Sequence, residues 1–313
     1  MTYLKEKLVE ELKDQGVVML DKTVVALSAL GLALVTTGIA TLAVLKWQQT
    51  SRKLRKYVEQ YTRTEVVQQY LVHHYAKLED LPHLKNLIPR TAENYHEELA
   101  KFVVNTCDEH GVAKARLLDV GCGPGVTSFY LSSIFKEVIG TDVSMPMIMA
   151  GQQMKQFAEF GSPFSSEGGK FIKLYRLRVP DSADRKKVVF WNEDVCSLLY
   201  TCGKFECILV SNTLTDLHDP KVFLETIGQY VRVGGLLIIS DVYNWSVGPE
   251  VCLGGEGVVE TFSLLKEILK SSWDFQKEAN LPYFLPKCAR LAEVGNAHVT
   301  VWKRKDELSE EEV

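Results

Sequence analysis

The sequence predicts an α/β fold, a doubly wound sheet of seven strands preceded by a transmembrane helix, and three observations carry that expectation. An apolar run, Arg116 to Val120, ends in a glycine-rich turn and leads through a helical stretch to a second run ending in an acid, Asp142. Further apolar runs recur at Val188, Phe205 and Leu236. Near the start, the 23 residues from Thr23 to Leu45 carry no charge.

Composition sets the outer limits. With 313 residues, 46% hydrophobic and 24% charged, the chain is an ordinary folded protein rather than a disordered one. That length suits one domain of about 230 to 250 residues with an extension. Lys+Arg 36 against Asp+Glu 40 gives a net charge of -4, so no global positive field collects phosphates, and a dedicated nucleic-acid binder is excluded. The seven cysteines are odd in number and include no Cys-x-x-Cys pair, which argues against a disulfide framework and a structural zinc site. They read as reduced thiols, and no metal ligands are assigned.

The stretch Thr23–Leu45 is long enough as a helix, about 34 Å, to cross a hydrocarbon core of roughly 30 Å. Lys46, Arg52, Lys53, Arg55 and Lys56 follow it with no acid among them, whereas residues 1–22 hold four lysines and five acids. The positive-inside tendency therefore predicts a membrane anchor through residues 23–45 with the catalytic domain facing the cytoplasm. A signal peptide or a buried or partner-binding helix are the competing readings. The organisation expected is a short segment 1–22, a transmembrane helix 23–46, a helical connection and substrate-side cap 47–90, the main domain 91–305 and an acidic tail 306–313. That tail carries five acids in eight residues and reads as solvated.

The run Arg116-Leu117-Leu118-Asp119-Val120, the turn Gly121-Cys122-Gly123-Pro124-Gly125, the helical stretch from Val126 and the run Glu137 to Asp142 form a strand, turn, helix, strand unit. Glycines at 121, 123 and 125 let backbone approach a ligand, and Asp142 ends the second strand, where an acid accepts hydrogen bonds from ribose hydroxyls. The third glycine comes one place too early for the dinucleotide fingerprint, which makes NAD the poorer fit. The pattern, with Asp119 two residues before the first glycine, resembles class I S-adenosylmethionine-dependent methyltransferases, which have a Rossmann-like sheet. By that resemblance Asp119, Gly121, Cys122, Gly123, Gly125, Asp142 and its neighbour Val143 hold the cofactor S-adenosyl-L-methionine. Asp194, followed by Val195, takes the adenine amino group, and Asn212 ends strand four beside the methyl donor. Cys122 reads as a small packing residue, not a nucleophile.

A closer resemblance runs over residues 65 to 305. Gln69-Tyr70-Leu71-Val72-His73-His74-Tyr75, the segment Asn212 to Pro220, Tyr243-Asn244-Trp245 with Leu253-Gly254-Gly255, and the ending Ala297 to Arg304 look like the methyltransferase domain of ovothiol biosynthesis, which methylates an imidazole nitrogen of 5-thiohistidine. Two positions depart from that pattern: Asp216 stands where the family has arginine, and Pro286-Lys287-Cys288-Ala289-Arg290 keeps only the final pair of its Arg-Glu-Thr-Ala-Arg run. A carboxylate at a substrate-facing position repels an amino-acid carboxylate unless a cation compensates.

The expected partner is a small-molecule substrate. Methyl transfer needs alignment and exclusion of water more than a strong base, because an imidazole nitrogen already has a lone pair. His74, Tyr75, Asn212, Tyr243 and Trp245 are the expected catalytic, substrate-side residues, with His218 a further candidate for which a turn capped by Asp219 is preferred. Residues 170 to 187, with seven basic residues against Asp181 and Asp184, read as a solvated insertion loop. A lipid or quinone acceptor and a non-catalytic scaffold are the rival functions. Nothing in the pattern fixes an oligomeric state.

Overall fold

The run at Arg116 forms strand β1 (Arg116–Val120), whose last four residues are buried, as a central strand covered on both faces requires. The computed structural model describes residue 55 and residues 58–167, 171–198, 202–257 and 259–306. The expected transmembrane helix 23–46, the segment 1–22 and the tail beyond Asp306 lie outside the described residues. Among the described residues no helix is long and apolar enough to cross a membrane.

Seven strands make the main sheet: β1, β2 (Glu137–Thr141), β5 (Val188–Trp191), β6 (Phe205–Ser211), β7 (Val231–Asp241), β8 (Trp273–Cys288) and β9 (Leu291–Arg304). β3 (Glu159–Glu167) and β4 (Phe171–Arg178) form a separate antiparallel hairpin. The order is β5-β2-β1-β6-β7-β9-β8, with β5 through β7 parallel and β9 antiparallel to both β7 and β8. After β2 the chain builds outward through β5, then returns across β1 to build β6 and β7 on the other side. The strand order reverses between β1 and β6, and ligands of open α/β sheets bind in the crevice outside the strand ends at such a point.

The helices that flank these strands include, among the described residues, α1 (Thr64–Tyr75), α2 (Tyr95–Glu109), α3 (Val126–Ser132), α4 (Met145–Phe157), α5 (Pro220–Thr226), α6 (Pro249–Leu253) and α7 (Thr261–Leu269), with a single turn at Arg90–Glu93. Alternating strand residues serve opposite faces. Leu117, Val138, Cys207, Leu209 and Ile238 pack with Leu99, Val103 and Cys107 of α2. Leu118, Ile139, Ile208, Val210 and Ile239 pack with Phe223, Leu224, Leu264 and Leu265 of α5 and α7. Local chemistry sets the helix starts: Ser144 accepts the N–H of Met147 at 3.4 Å, and Asp219 accepts that of Val222 at 3.2 Å ahead of Pro220. The cap reading of Asp219 therefore holds. Gly234 and Gly235, just before the apolar run at Leu236, lie inside β7, where pairing jumps from Phe205 opposite Val231 to Cys207 opposite Leu236 and Gly234 takes φ 73°.

One expectation is corrected. Most of the segment expected to be a solvated loop, 170 to 187, is not loop: it contributes β4 and a short 3-10 turn, Arg185–Lys187. Tyr175, Leu177 and Val179 are buried while Arg176 and Arg178 alternate with them outward. That period of two is the mark of a half-buried strand, and charge counting hid it. The buried face joins Phe164 of β3 and Leu71, Val72 and Tyr75 of α1 in one apolar cluster. Leu177→Ala is expected to lower stability by about 2–5 kcal/mol in urea denaturation, as for a buried leucine elsewhere. A loss under about 0.5 kcal/mol, the size of a surface effect, would restore the loop reading.

Candidate active site

The turn after β1 runs against steric preference, which is why it is glycine-rich. Gly121, Gly123 and Gly125 have φ of 66°, 52° and 88°. A Cβ on Gly121 would sit 1.9 Å from Thr213 Oγ1, and one on Gly125 2.3 Å from the Phe190 ring. Backbone and side-chain bonds hold the loop in place. Gly121 and Cys122 donate N–H groups to Thr141 O at 2.8 and 3.0 Å, and Gly123 donates to Asp142 Oδ2 at 3.1 Å. Tyr75 donates its hydroxyl to Pro124 O at 2.6 Å, and His74 Nδ1 accepts the N–H of Val126 at 3.3 Å.

This loop forms one wall of a cavity of about 370 Å³ at the reversal of strand order. Asp119, Gly121, Cys122, Gly123 and Asp142 line it from the β1 and β2 ends. Ser211, Asn212, Thr213, Thr215, Asp216 and Asp241 line it from β6 and β7, and Tyr61, Tyr70, His73, His74, His96 and Tyr283 close it. Its size falls in the usual range for small-molecule sites, roughly 300 to 1,000 Å³.

Burial tunes its acids. Asp119 is pushed up to about 7, relieved in part by the Ser128 hydroxyl at 2.6 Å. Asp142 is pushed up to about 6, again by burial, although Ser144 N–H at 2.8 Å and Gly123 N–H both favour its charged form. Each Asp142 oxygen accepts one backbone bond and keeps a second lone pair for a hydroxyl donor. Burial also pushes the Cys122 thiol well above its ordinary value, which fits packing and not nucleophilic attack.

The histidines respond in the opposite direction. Burial lowers His73 to about 4 and puts His74 and His96 well below their ordinary value, so all three are neutral at pH 7. His73 Nε2 lies 3.1 Å from His96 Nε2, His96 Nδ1 lies 2.8 Å from Thr127 Oγ1, and the His74 ring packs beside that of His96 with centroids 4.2 Å apart. Their nitrogens fall within 4.8 Å of one another, close enough to hold a cation. Because His74 Nδ1 accepts a backbone N–H, its neutral tautomer carries hydrogen on Nε2 and offers the cavity a donor.

Of the residues expected from sequence, His74 and Asn212 reach the cavity together with Asp119, Gly121, Cys122, Gly123 and Asp142. Others are placed elsewhere. Tyr75 is occupied in bracing the glycine loop. Tyr243 turns away at φ 56° and bonds His298 Nδ1 at 3.0 Å, and Trp245 bonds Thr261 Oγ1 at 2.8 Å against the α5 and α7 core. Neither is among the residues that line the cavity. Val195 is a buried core residue, Gly125 begins α3 outside the cavity wall, and Val143 does not line it. Asp194 also lies outside this wall: its Oδ1 accepts Cys196 N–H at 3.0 Å, and Oδ2 lies 3.5 Å from His218 Nδ1. Tyr61, His96, Asp241 and Tyr283 line the cavity without being expected from sequence. Asp241 was findable, as an acid at the end of a strand entering the crevice, whereas His96 sits in the first turn of an ordinary amphipathic helix.

A family model described as a methyltransferase domain matches residues 91–286, more than half of the chain. The chain belongs to this family. No curated protein matches its sequence. Among solved structures, the N-methyltransferase NodS from Bradyrhizobium japonicum in complex with S-adenosyl-L-homocysteine is 14% identical over 75% of this chain and 100% of its own, with TM-score 0.43. Magnesium protoporphyrin IX methyltransferase from Synechocystis with bound SAM is 14% identical over 76% of this chain and 97% of its own, with TM-score 0.44. An S-adenosylmethionine-dependent methyltransferase from Clostridium acetobutylicum is 14% identical over 73% and 99%, with TM-score 0.45.

The protein is an S-adenosylmethionine-dependent methyltransferase, and its site fits that cofactor. Gly121, Cys122 and Gly123 line the cavity, and Asp142 presents a buried acceptor at the end of β2. No loop lysine competes for a phosphate, which this cofactor lacks. Gly125→Ala forces a methyl group into the Phe190 ring at a left-handed φ, a conformation costing about 1–3 kcal/mol in such residues. The variant methyltransferase is expected to bind S-adenosylhomocysteine at least about tenfold more weakly by calorimetric titration, a loss of about 1.4 kcal/mol. Wild-type affinity would show that the loop does not shape the site.

Proposed function

We propose that this methyltransferase transfers a methyl group to a nitrogen of a small molecule, with the imidazole of a thiohistidine-like compound as the first acceptor to test. The observation that carries this reading is one cavity with two different walls. The glycine loop and Asp142 suit the adenosyl donor, and the opposite side presents neutral histidines, tyrosines and the amide of Asn212.

Bound there, S-adenosylmethionine supplies an electrophilic methyl carbon on a sulfonium. The chain's contribution is to hold the acceptor nitrogen in line with that carbon and to keep water out. Held by the glycine loop and Asp142, the cofactor would supply this methyl group to the acceptor's lone pair and keep the S–C electron pair as a thioether, and the acceptor would release its proton to water. Neutral His73, His74 and His96 suit this step, since a protonated imidazole in the wall would repel a sulfonium. His74 Nε2–H and Asn212 Oδ1 are available to orient the acceptor, one as donor and one as acceptor.

Incubation of the full chain with isotopically methyl-labelled S-adenosylmethionine and 5-thiohistidine is expected to give a labelled N-methyl product by mass spectrometry. Label in extracted lipid instead would move the acceptor to a lipid or quinone. Cofactor binding with no transfer to cell extract of either phase would leave a binding scaffold. The uncharged stretch Thr23–Leu45 and the basic residues after it support anchoring to a membrane with this domain on the cytoplasmic side. Retention of the expressed chain in carbonate-washed membranes is the expected result, and release into the supernatant would overturn the anchor.

A further inference from the structure

Asp241, at the end of β7, has no exposed surface. Its Oδ1 accepts the Tyr243 N–H at 2.7 Å, and Oδ2 has no partner at hydrogen-bond geometry, although the backbone N–H groups of Leu214 and Thr215 face the carboxylate and favour its charged form. Asn212 Oδ1 is likewise unpartnered, because the amide nitrogen of Asn212 is turned to the Tyr95 hydroxyl at 3.2 Å. Two buried acceptors therefore lack donors on one side of the cavity. A buried polar atom left without a partner is costly and rare, so a site that keeps two of them is built for something that brings N–H or O–H groups.

The charge on this side points to which. Asp216 lines the same cavity and accepts the Tyr61 hydroxyl at 2.8 Å. Burial raises both Asp216 and Asp241, the latter to about 7, and the charge of Asp216 further raises Asp241 and Asp142. These carboxylates thus penalise one another's ionisation, and a cation among them removes that penalty. Lys287 is the one cation among the described lining residues, and it is 3.0 Å from Glu293, which lines the cavity too. The Tyr61 and Tyr70 rings, edge to face at 5.7 Å, add faces able to attract a cation.

We infer that Asp216, Asp241 and Asn212 Oδ1 form a subsite for the cationic head of the methyl acceptor, so that the substrate is a small nitrogen compound that presents an ammonium group there. This deepens the N-methyltransferase reading and rests on it. The ammonium takes the open lone pairs of Asp241 and Asn212, and a carboxylate there meets two acids.

Histamine and imidazole-4-propionate test this directly, since they share the imidazole and differ in the charge at the end of a two-carbon arm. Each is titrated calorimetrically into the full chain saturated with S-adenosylhomocysteine. Histamine is expected to bind at least about tenfold more tightly. Asp216→Asn and Asp241→Asn should each shrink the preference, and Asp216→Arg should reverse it, with affinity for S-adenosylhomocysteine within about threefold of wild type as the control on folding. Equal binding of the two compounds, preference for the propionate, or binding of neither to the wild type would overturn the inference. So would loss of S-adenosylhomocysteine affinity in the asparagine variants, because the acids would then serve the ammonium of the donor. Failure of the wild type to bind S-adenosylhomocysteine removes the methyltransferase reading as well, whereas binding without charge preference removes only this one.

Discussion

The close approach of the Gly121 to Gly125 backbone to its neighbours is the constraint on which the rest of the site depends. Thr213 lies where a Cβ of Gly121 would be, Phe190 where that of Gly125 would be. That tight fit lets the ends of β1, β2 and β6 converge on one crevice. The loop is then gripped from outside the sheet by α1, through the Tyr75 hydroxyl on Pro124 and His74 on the N–H of Val126. Helix α1 in turn rests on the β3–β4 hairpin through Leu71, Val72, Phe164 and Leu177. An insertion far from the central strands thus helps to hold the backbone that faces the cofactor.

Burial acts on this cavity in two opposed ways, and both favour a cationic donor. It strips charge from the histidines, whose neutral form is cheaper away from water, and it raises the acids without removing their ability to accept hydrogen bonds. The wall is consequently rich in acceptors and poor in positive charge. Such a wall suits a sulfonium cofactor better than a phosphate-bearing one, in keeping with the glycine spacing that disfavoured a dinucleotide.

Much of this was legible in the sequence, but unevenly. The central strands could be read because a buried parallel strand is a nearly continuous apolar run, as in Cys207-Ile208-Leu209-Val210, and the glycine loop because positive φ at close spacing admits few other residues. The hairpin was misread because its arginines were counted instead of their alternation with Tyr175, Leu177 and Val179. The acceptor wall was legible only in part. His74 and Asn212 lie next to recognisable elements, but Tyr61, His96 and Tyr283 come from segments far apart in the chain and meet only through tertiary packing. Tyr243 and Trp245 pack against the core and do not line the cavity, since the core is an equally good home for aromatic side chains near a strand end.

The Phe190 ring touches more than the loop. Cβ atoms on Gly125, Gly140 and Gly151 would come within 2.3, 3.0 and 3.1 Å of it, so one β5 side chain occupies the room vacated by three glycines from a turn, a strand and a helix. These four positions share a single volume. A larger residue at any one of the three glycines therefore needs a smaller ring at position 190, and even then Gly125, at φ 88°, and Gly140, whose Cβ would lie 2.9 Å from Cys122 Sγ, stay restricted, so Gly151 alone is set by the ring.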